Sequence, residues 1–336
     1  MARRRKHRRR FDWLHKAAGI LLPLLTGCVI LAAFVVEYYG GQDGIPTWND
    51  LYDRFGIESS APDAETVASG DSSVSFLDVG QGDAVLICQN GEFCLIDAGT
   101  AEAEEQLLRS LESAGVERLT YVVMTHPHSD HIGSMDAVLE NFPTGTLILP
   151  QLEGLEEQSS ALQQTLDAAE AYGVTTVQAN TGEQYPLGEG TLQVLLAPTP
   201  QEAGDNLNNL SLCLKFTAGD FSFVDTGDAE EEVEEQLLQM DWTALNADLL
   251  KAGHHGSNTS NTEELLAAVS PEIVVASCGL DNDYGHPHRE VVERVENIGA
   301  AFYRTDLDGT VTVVSHDGAM RVDCTAWDAE DTDQAA

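Results

Sequence analysis

Residues Thr125-His126-Pro127-His128-Ser129-Asp130-His131-Ile132 decide how this chain reads. The stretch has the pattern H-x-H-x-D-H; it follows the apolar run Tyr121-Val122-Val123-Met124 and leads into Gly133-Ser134, a helix start. A strand that ends in three imidazoles and a carboxylate has no packing reason to do so. Crowded histidines repel one another when protonated, and when neutral they offer lone pairs that a divalent ion satisfies best. On an extended segment His126 and His128 face one way, while Asp130 and His131 lie past the turn. That division suits two adjacent metal ions.

The surroundings of this stretch occur twice. Phe93-x-x-Ile96-Asp97-x-Gly99, followed by Ala101-Glu102 and Glu104-Glu105-Gln106-Leu107-Leu108, returns as Phe221-x-x-Val224-Asp225-x-Gly227, followed by Ala229-Glu230 and Glu234-Glu235-Gln236-Leu237-Leu238. The distance from Asp97 to His126 is 29 positions, and so is that from Asp225 to His254. Two strand-helix-strand units, each with histidines at the end of its last strand, predict two similar halves facing each other across the metals. The spacing sets His254 where His126 stands and favours it as a ligand, with His255 as the alternate.

Around the repeat, apolar runs predict strands at 74–77, 84–88, 93–97, 121–125, 146–149, 174–179 and 192–197. Helices are predicted over 102–114, stopped by Gly115, over 134–140, over about 159–172, ended by Gly173, and over 289–298. Asn90-Gly91 signals a type I′ hairpin. In a two-residue turn Cys88 pairs with Phe93 and faces away from Cys94, so no disulfide is predicted between the two cysteines. Mixed strands and helices in this order imply sheets covered by helices.

Charge divides the chain. Of 17 Lys and Arg, eight fall in residues 3–16; residues 37–336 hold nine, against 55 acidic residues, a net charge of −46. Such a body repels polyanions at long range and argues against passive DNA binding through a basic groove. Residues 1–16 form a basic arm, and Ala17 to Val36 is a run of 20 residues without a formal charge. That length suffices to cross a bilayer, and the basic flank keeps the N-terminus in the cytoplasm. The predicted organisation is therefore a basic arm at 1–16, a transmembrane anchor at 17–37, a Gly/Asp/Ser/Pro-rich linker at 38–72, a main domain at 73–323 and an acidic tail at 324–336, whose residues 327–336 are expected to be disordered. Leu25-Thr26-Gly27-Cys28 also has the form of a lipoprotein processing site, although the apolar run continues beyond the cysteine.

Six stretches in order, Phe76-Leu77-Asp78-Val79-Gly80-Gln81-Gly82-Asp83, Leu95-Ile96-Asp97-Ala98-Gly99, the opening motif, Thr226-Gly227-Asp228, Lys251-Ala252-Gly253-His254-His255-Gly256-Ser257 and Tyr284-Gly285-His286-Pro287-His288, resemble the metallo-β-lactamase superfamily. Within it they are similar to the extracytoplasmic hydrolase domain of ComEC-type competence proteins. The resemblance implies an α/β fold, the αββα four-layer sandwich. It also implies two divalent ions, zinc or manganese: His126, His128 and His254 on the first, Asp130, His131 and His286 on the second, and Asp228 shared. Asp97 and Asp225 would support the ligands from behind, Asp78, Gln81 and Asp83 would shape the adjoining loop, and His288 would open a helix, exposed. The chain departs from β-lactamase and glyoxalase-type members in having no histidine between His131 and His254. Asn206-Leu207-Asn208-Asn209-Leu210-Ser211 resembles the Asn/Ser-rich stretch of ComEC-type domains, either lining the pocket or capping a loop.

The resemblance implies a membrane-anchored, extracytoplasmic hydrolase in which a hydroxide bridging two ions about 3.5–4 Å apart attacks a phosphodiester. Asp130 or Asp228 would hold the nucleophile. His255, if not a ligand, would protonate the leaving oxygen, and Lys251 or Ser257 would contact phosphate. DNA is the first substrate considered. A cell-envelope polymer such as phosphocholine-bearing teichoic acid is the alternative, and a non-catalytic binding module of a DNA-uptake assembly is a third.

Overall fold

The computed structural model describes residues 71–325, apart from 156–158, 241–243 and 317. The basic arm, the predicted anchor at 17–37, nearly all of the linker and most of the tail lie outside the described residues. Among the described residues no helix is long and apolar enough to cross a membrane.

The first half enters at β1 (Ser72–Phe76), runs through β2 (Val85–Gln89) and β3 (Glu92–Ile96), and crosses by helix α1 (Glu104–Ser113) to β4 (Leu119–Val123). Short helices α2 (Ser129–Ile132) and α3 (Met135–Asn141) lead to β5 (Thr144–Leu149), and α4 (Ser160–Ala171) leads to β6 (Thr175–Gln178). The second half contains β7 (Gln184–Leu187), β8 (Gly190–Leu196), β9 (Cys213–Ala218) and β10 (Phe221–Asp225), crosses by α5 (Glu231–Leu238) to β11 (Leu249–Lys251), and continues through α6 (Glu263–Val269), β12 (Ile273–Ala276), α7 (Arg289–Ile298) and β13 (Ala301–Arg304). The last strands, β14 (Val311–His316) and β15 (Ala319–Cys324), return to the first half. The sheets read β15-β14-β1-β2-β3-β4-β5-β6 and β13-β12-β11-β10-β9-β8-β7.

Both copies of the repeat form the same unit. In each, an antiparallel strand precedes the first repeat strand, and the rest of the unit is parallel: β3 pairs with β4 as β10 pairs with β11. A parallel pair needs a crossover, and the Glu-rich helix supplies it. Burial alternates along the strands. Cys94 and Ile96 of β3 enter an apolar layer shared with Phe216, Phe223 and Leu249 of the other sheet, whereas Leu95 joins Leu107, Leu111 and Val138 under the helices. A third cluster packs Val224, Leu250 and Val274 against Val233, Leu265 and Val291 of α5, α6 and α7. Three apolar interfaces separate four layers, helices outside and sheets within.

The hairpin forms as the Asn-Gly signal requires: Cys88 pairs with Phe93, and Asn90 and Gly91 have φ of 51° and 75°. Gly115 and Gly173 take left-handed conformations just beyond their helices. Strands β7, β9 and β12 to β15 go beyond the sequence reading; β7, β13 and β15 lie at sheet edges, whereas β9, β12 and β14 are internal. Edge strands bury one face incompletely and tolerate proline, as Pro186 in β7 does, so their apolar alternation is weak.

Candidate metal centre

The site lies where the repeat strands end. After β4, Asp97 fixes the start of the motif: its carboxylate accepts from Thr125 N (2.9 Å) and Thr125 Oγ1 (2.6 Å), and holds His131 Nδ1 at 2.7 Å. With Nδ1 bound to a carboxylate, His131 presents Nε2 to the site. Two glycine turns close on the motif. A Cβ on Gly82 would stand 2.4 Å from the Asp130 carbonyl oxygen, and one on Gly227, whose φ is 55°, would stand 2.8 Å from Ser211 Oγ and 3.0 Å from Thr125 Cβ. Only a bare backbone lets the Thr226-Gly227-Asp228 turn approach closely enough to bring Asp228 against the histidines.

The histidines after β11 arrive differently. His254 and His255 both have left-handed backbones, with φ of 50° and 54°. Asn261, 1% exposed, holds the loop: its Oδ1 accepts from Gly253 N (2.8 Å), and its Nδ2 donates to Gly253 O (2.9 Å) and Ser257 O (3.1 Å). His255 Nδ1 lies 3.0 Å from Ser277 O, which leaves Nε2 facing inward.

These constraints converge on a point. His131 Nε2 is 3.1 Å from Asp228 Oδ2, and His255 Nε2 is 3.5 Å from the same atom and 3.4 Å from Asp130 Oδ2. Four donors set tetrahedrally about 2.1 Å from a cation lie about 3.4 Å apart, so the spacing fits an ion. Buried His131 Nε2, His255 Nε2 and Asp228 Oδ1 have no hydrogen-bond partner, as groups awaiting a cation would not. Asp83 belongs to the same tight group of His/Asp donors. Its carboxylate, however, faces the Nδ1 edges of His131 (3.7 Å) and His255 (3.4 Å) and pairs with Lys251 Nζ at 2.6 Å, so it backs the cluster.

The remaining residues flank this group. His126 Nε2 lies 2.9 Å from His128 Nδ1 and 3.9 Å from Asp228 Oδ2, with Thr125 Oγ1 and Ser211 Oγ against its Nδ1. His254 Nε2 lies 3.8 Å from Asp228 Oδ2, and its Nδ1 is 3.5 Å from Glu230 Oε1. His286 is buried with Nδ1 unpartnered; its ring centroid is 5.5 Å from that of His254 and 6.1 Å from that of His255. A cavity of about 310 Å³ opens over Asp130, Asp228, His254, His255 and His286. His254 and His286 thus stand outside the tight group and His255 inside it. The left-handed turn through both residues delivers the second imidazole where equal spacing points to the first.

Three secondary expectations change. Lys251 is 1% exposed and spends its charge on Asp83, so it is not placed to reach a phosphate; Ser257 is buried against Thr259. His288 is half-buried, accepting from Asn258 N at 3.0 Å. Asn208 does both things its stretch allowed: it lines the cavity, and its N–H is capped by Asn206 Oδ1. Asp83 as a buried ion-pair partner escaped sequence reading, because only the fold brings it to Lys251.

Electrostatics match a cation site. Burial alone pushes Asp228 up, but the His131 and His255 imidazoles outweigh it and hold the carboxyl well below the usual range. Burial pushes His131 down, yet Asp228 and Asp97 raise it well above an ordinary imidazole. His255 rises to about 10, with burial overcome by Asp228 and Asp83, and Asp130 falls to about 2, with burial overcome by the nearby His255 and His131 imidazoles. His126 is held low by burial and by His131. In the metal-free protein, protons on His131 and His255 therefore supply the positive charge that the buried carboxylates demand.

Comparisons with known proteins place the chain in a family. The competence protein ComA of Neisseria gonorrhoeae is 34% identical over 295 residues, covering 88% of this chain and 39% of its own length. ComE operon protein 3 of Bacillus subtilis (strain 168) is 29% identical over 261 residues, covering 72% of this chain and 33% of its own. The chain thus spans between a third and two fifths of these relatives. Among solved structures, a CmlA beta-hydroxylase E377D mutant superposes with a TM-score of 0.51 at 15% identity, covering 84% of this chain and 61% of its own; it shares the fold. A sequence model of the metallo-beta-lactamase superfamily matches residues 77–279, and the chain belongs to that superfamily.

Proposed function

We propose that this chain is a membrane-anchored, extracytoplasmic phosphodiesterase with two divalent ions, zinc or manganese. The convergence of His131 Nε2, His255 Nε2 and the Asp228 carboxylate, all buried and short of partners, carries the reading. Asp130, His131, His255 and Asp228 would hold one ion. His126, His128 and His254 would hold the other, with Asp228 between them and His286 at the mouth. Mixed imidazole and carboxylate donors suit zinc and manganese alike.

When bound, the ions acidify water near neutral pH and bind the anionic oxygens of the ester. The chain supplies the rest. Asp97 and the Ser277 carbonyl lock His131 and His255 in the tautomers that leave Nε2 unprotonated toward the site. Asp130, on the cavity wall, would accept a hydrogen bond from the attacking water and aim it. Lys251 balances Asp83 and Asp225 beneath the site, so the carboxylates there do not repel a phosphate unopposed.

The domain reading goes with this proposal: a cytoplasmic arm at 1–16, an anchor at 17–37, a linker at 38–72 and the hydrolase at 73–323. The competence relatives support DNA as substrate. The acidic body favours a second reading, a phosphoester on an envelope polymer, because a net charge of −46 opposes long nucleic acids.

Full-length protein, metal-loaded, should hydrolyse single-stranded DNA and a small chromogenic phosphodiester, with activity lost on chelation and in Asp130→Ala. Cleavage of the small ester alone would move the substrate to the envelope. Metal uptake without cleavage of either ester would end the phosphodiesterase reading.

A further inference from the structure

The walls of the metal cavity offer a phosphate chain little to hold. No Lys or Arg lines it among the described residues; its polar groups are imidazoles, carboxylates, amides and a serine. Lys251, the nearest cation behind the site, is buried and already paired. Affinity beyond the phosphate at the ions must therefore come from groups other than cations.

One loop meets that need. Between β12 and α7, the loop of residues 280–285 exposes two large apolar side chains, Leu280 at 68% and Tyr284 at 67%, and Tyr284 lines the cavity. Exposed large apolar side chains are few among the described residues, and Tyr284 is the one that lines the cavity. The Tyr284 ring lies nearly parallel to His286, at 21° and 5.5 Å between centroids, and lines the cavity together with Asp130 and Asp228. The loop is also rigidly framed. Asn282 Oδ1 accepts from Tyr284 N (3.2 Å) and His286 N (2.9 Å), while its Nδ2 donates to Gly279 O (2.9 Å) and His286 O (2.6 Å). An aromatic ring fixed by its own loop loses little freedom when a ligand settles on it.

We propose that Tyr284 is a stacking platform for a nucleobase, and that the site takes phosphodiesters bearing a base next to the scissile phosphate. This deepens the hydrolase reading and rests on it for the position of the phosphate. Tyr284 sets specificity without taking part in bond breaking. Every base has a π-face, so such recognition is tolerant of sequence, and it responds weakly to salt because it neutralises no phosphate charge.

The test is equilibrium titration of full-length, manganese-loaded protein with thymidine 5′-monophosphate and, separately, with deoxyribose 5-phosphate, which lacks only the base. Wild type should bind the nucleotide more tightly. Tyr284→Leu should weaken nucleotide binding about fivefold to a hundredfold and leave deoxyribose 5-phosphate unchanged, and Tyr284→Phe should restore it. Equal affinity of wild type for the two ligands, or equal weakening of both in Tyr284→Leu, would overturn the platform. Turnover of a phosphodiester is scored apart: base-dependent binding without hydrolysis would count against the hydrolase reading, and hydrolysis without base-dependent binding against Tyr284.

Discussion

The two halves of the repeat share a frame and differ in what supports their histidines. In the first, His126 is not among the residues with positive φ, and Asp97 reaches directly to Thr125 and His131. In the second, Asp225 stands in the place of Asp97 but accepts from Gly227 N at 2.8 Å and touches no histidine. The backbone N–H that Asp97 holds in the first half is Thr125; its counterpart, Gly253, is held by Asn261 from outside the repeat. Glu234, fully buried, in turn fixes Thr262 N (2.9 Å) and Thr262 Oγ1 (2.6 Å) beside Asn261. Val123, apolar and buried, is matched by Lys251, a buried cation. One frame can thus carry two unrelated polar supports, and equal spacing aligns strands more dependably than it aligns ligand atoms.

The largest expected effect tests the Val123/Lys251 difference. Lys251→Met should remove the closest cation from the buried Asp83 and Asp225 carboxylates, at a cost of about 3–5 kcal/mol in denaturant unfolding of the metal-free protein. Val123→Ala, at the matching position, removes only packing and should lose roughly 1–3 kcal/mol. Equal losses at the two positions would mean that Lys251 serves as filler, and the contrast would collapse.

Next comes the metal. His255→Ala should lower bound metal and abolish hydrolysis more completely than His254→Ala, measured as ions per chain after dialysis; the reverse order would restore the assignment that spacing favours. Asp97→Asn should weaken metal binding about 10–100-fold, whereas Asp225→Asn, which only loosens a turn, should do less. Loading must also displace protons. His255 is raised to about 10 and His131 is raised as well, so at pH 7 both are protonated in the metal-free protein. An ion has to expel those protons, so its affinity rises with pH up to the pKa of His255. Calorimetry in two buffers of different ionisation enthalpy should show proton release, and a pH-independent affinity would exclude His255 as a ligand.

What the sequence made legible follows from how local each signal is. The H-x-H-x-D-H run, the Asn90-Gly91 hairpin and the two βαβ units are set by short-range patterns, and each has its place in the fold. The inward face of His255 was harder to read, because it depends on two successive left-handed residues that Asn261 stabilises from the far end of the same loop. The Asp83–Lys251 pair joins residues 168 positions apart, and no pattern near either one announces the other. Of the strands after α7, β13 and β15 were hidden by their edge positions, where alternation is diluted by exposure, whereas β14 is internal.

The smallest effect concerns the backbone itself and should have opposite signs in the two halves. At φ near 50° an L-residue pays about 1–2 kcal/mol that glycine does not, so metal-free His254→Gly should be more stable than His254→Ala by about 1 kcal/mol. At His126, which does not use that region, glycine gains nothing in the fold and adds freedom to the unfolded chain, so His126→Gly should be less stable than His126→Ala by roughly 0.4–1 kcal/mol. Each pair compares two small residues after the imidazole is gone, so lost ligand contacts cancel and the backbone is read directly. Thermal unfolding of the four proteins without metal gives the two differences. Should they share a sign, strain would not distinguish the two loops, and the inward turn of His255 would need a cause other than the left-handed path through His254.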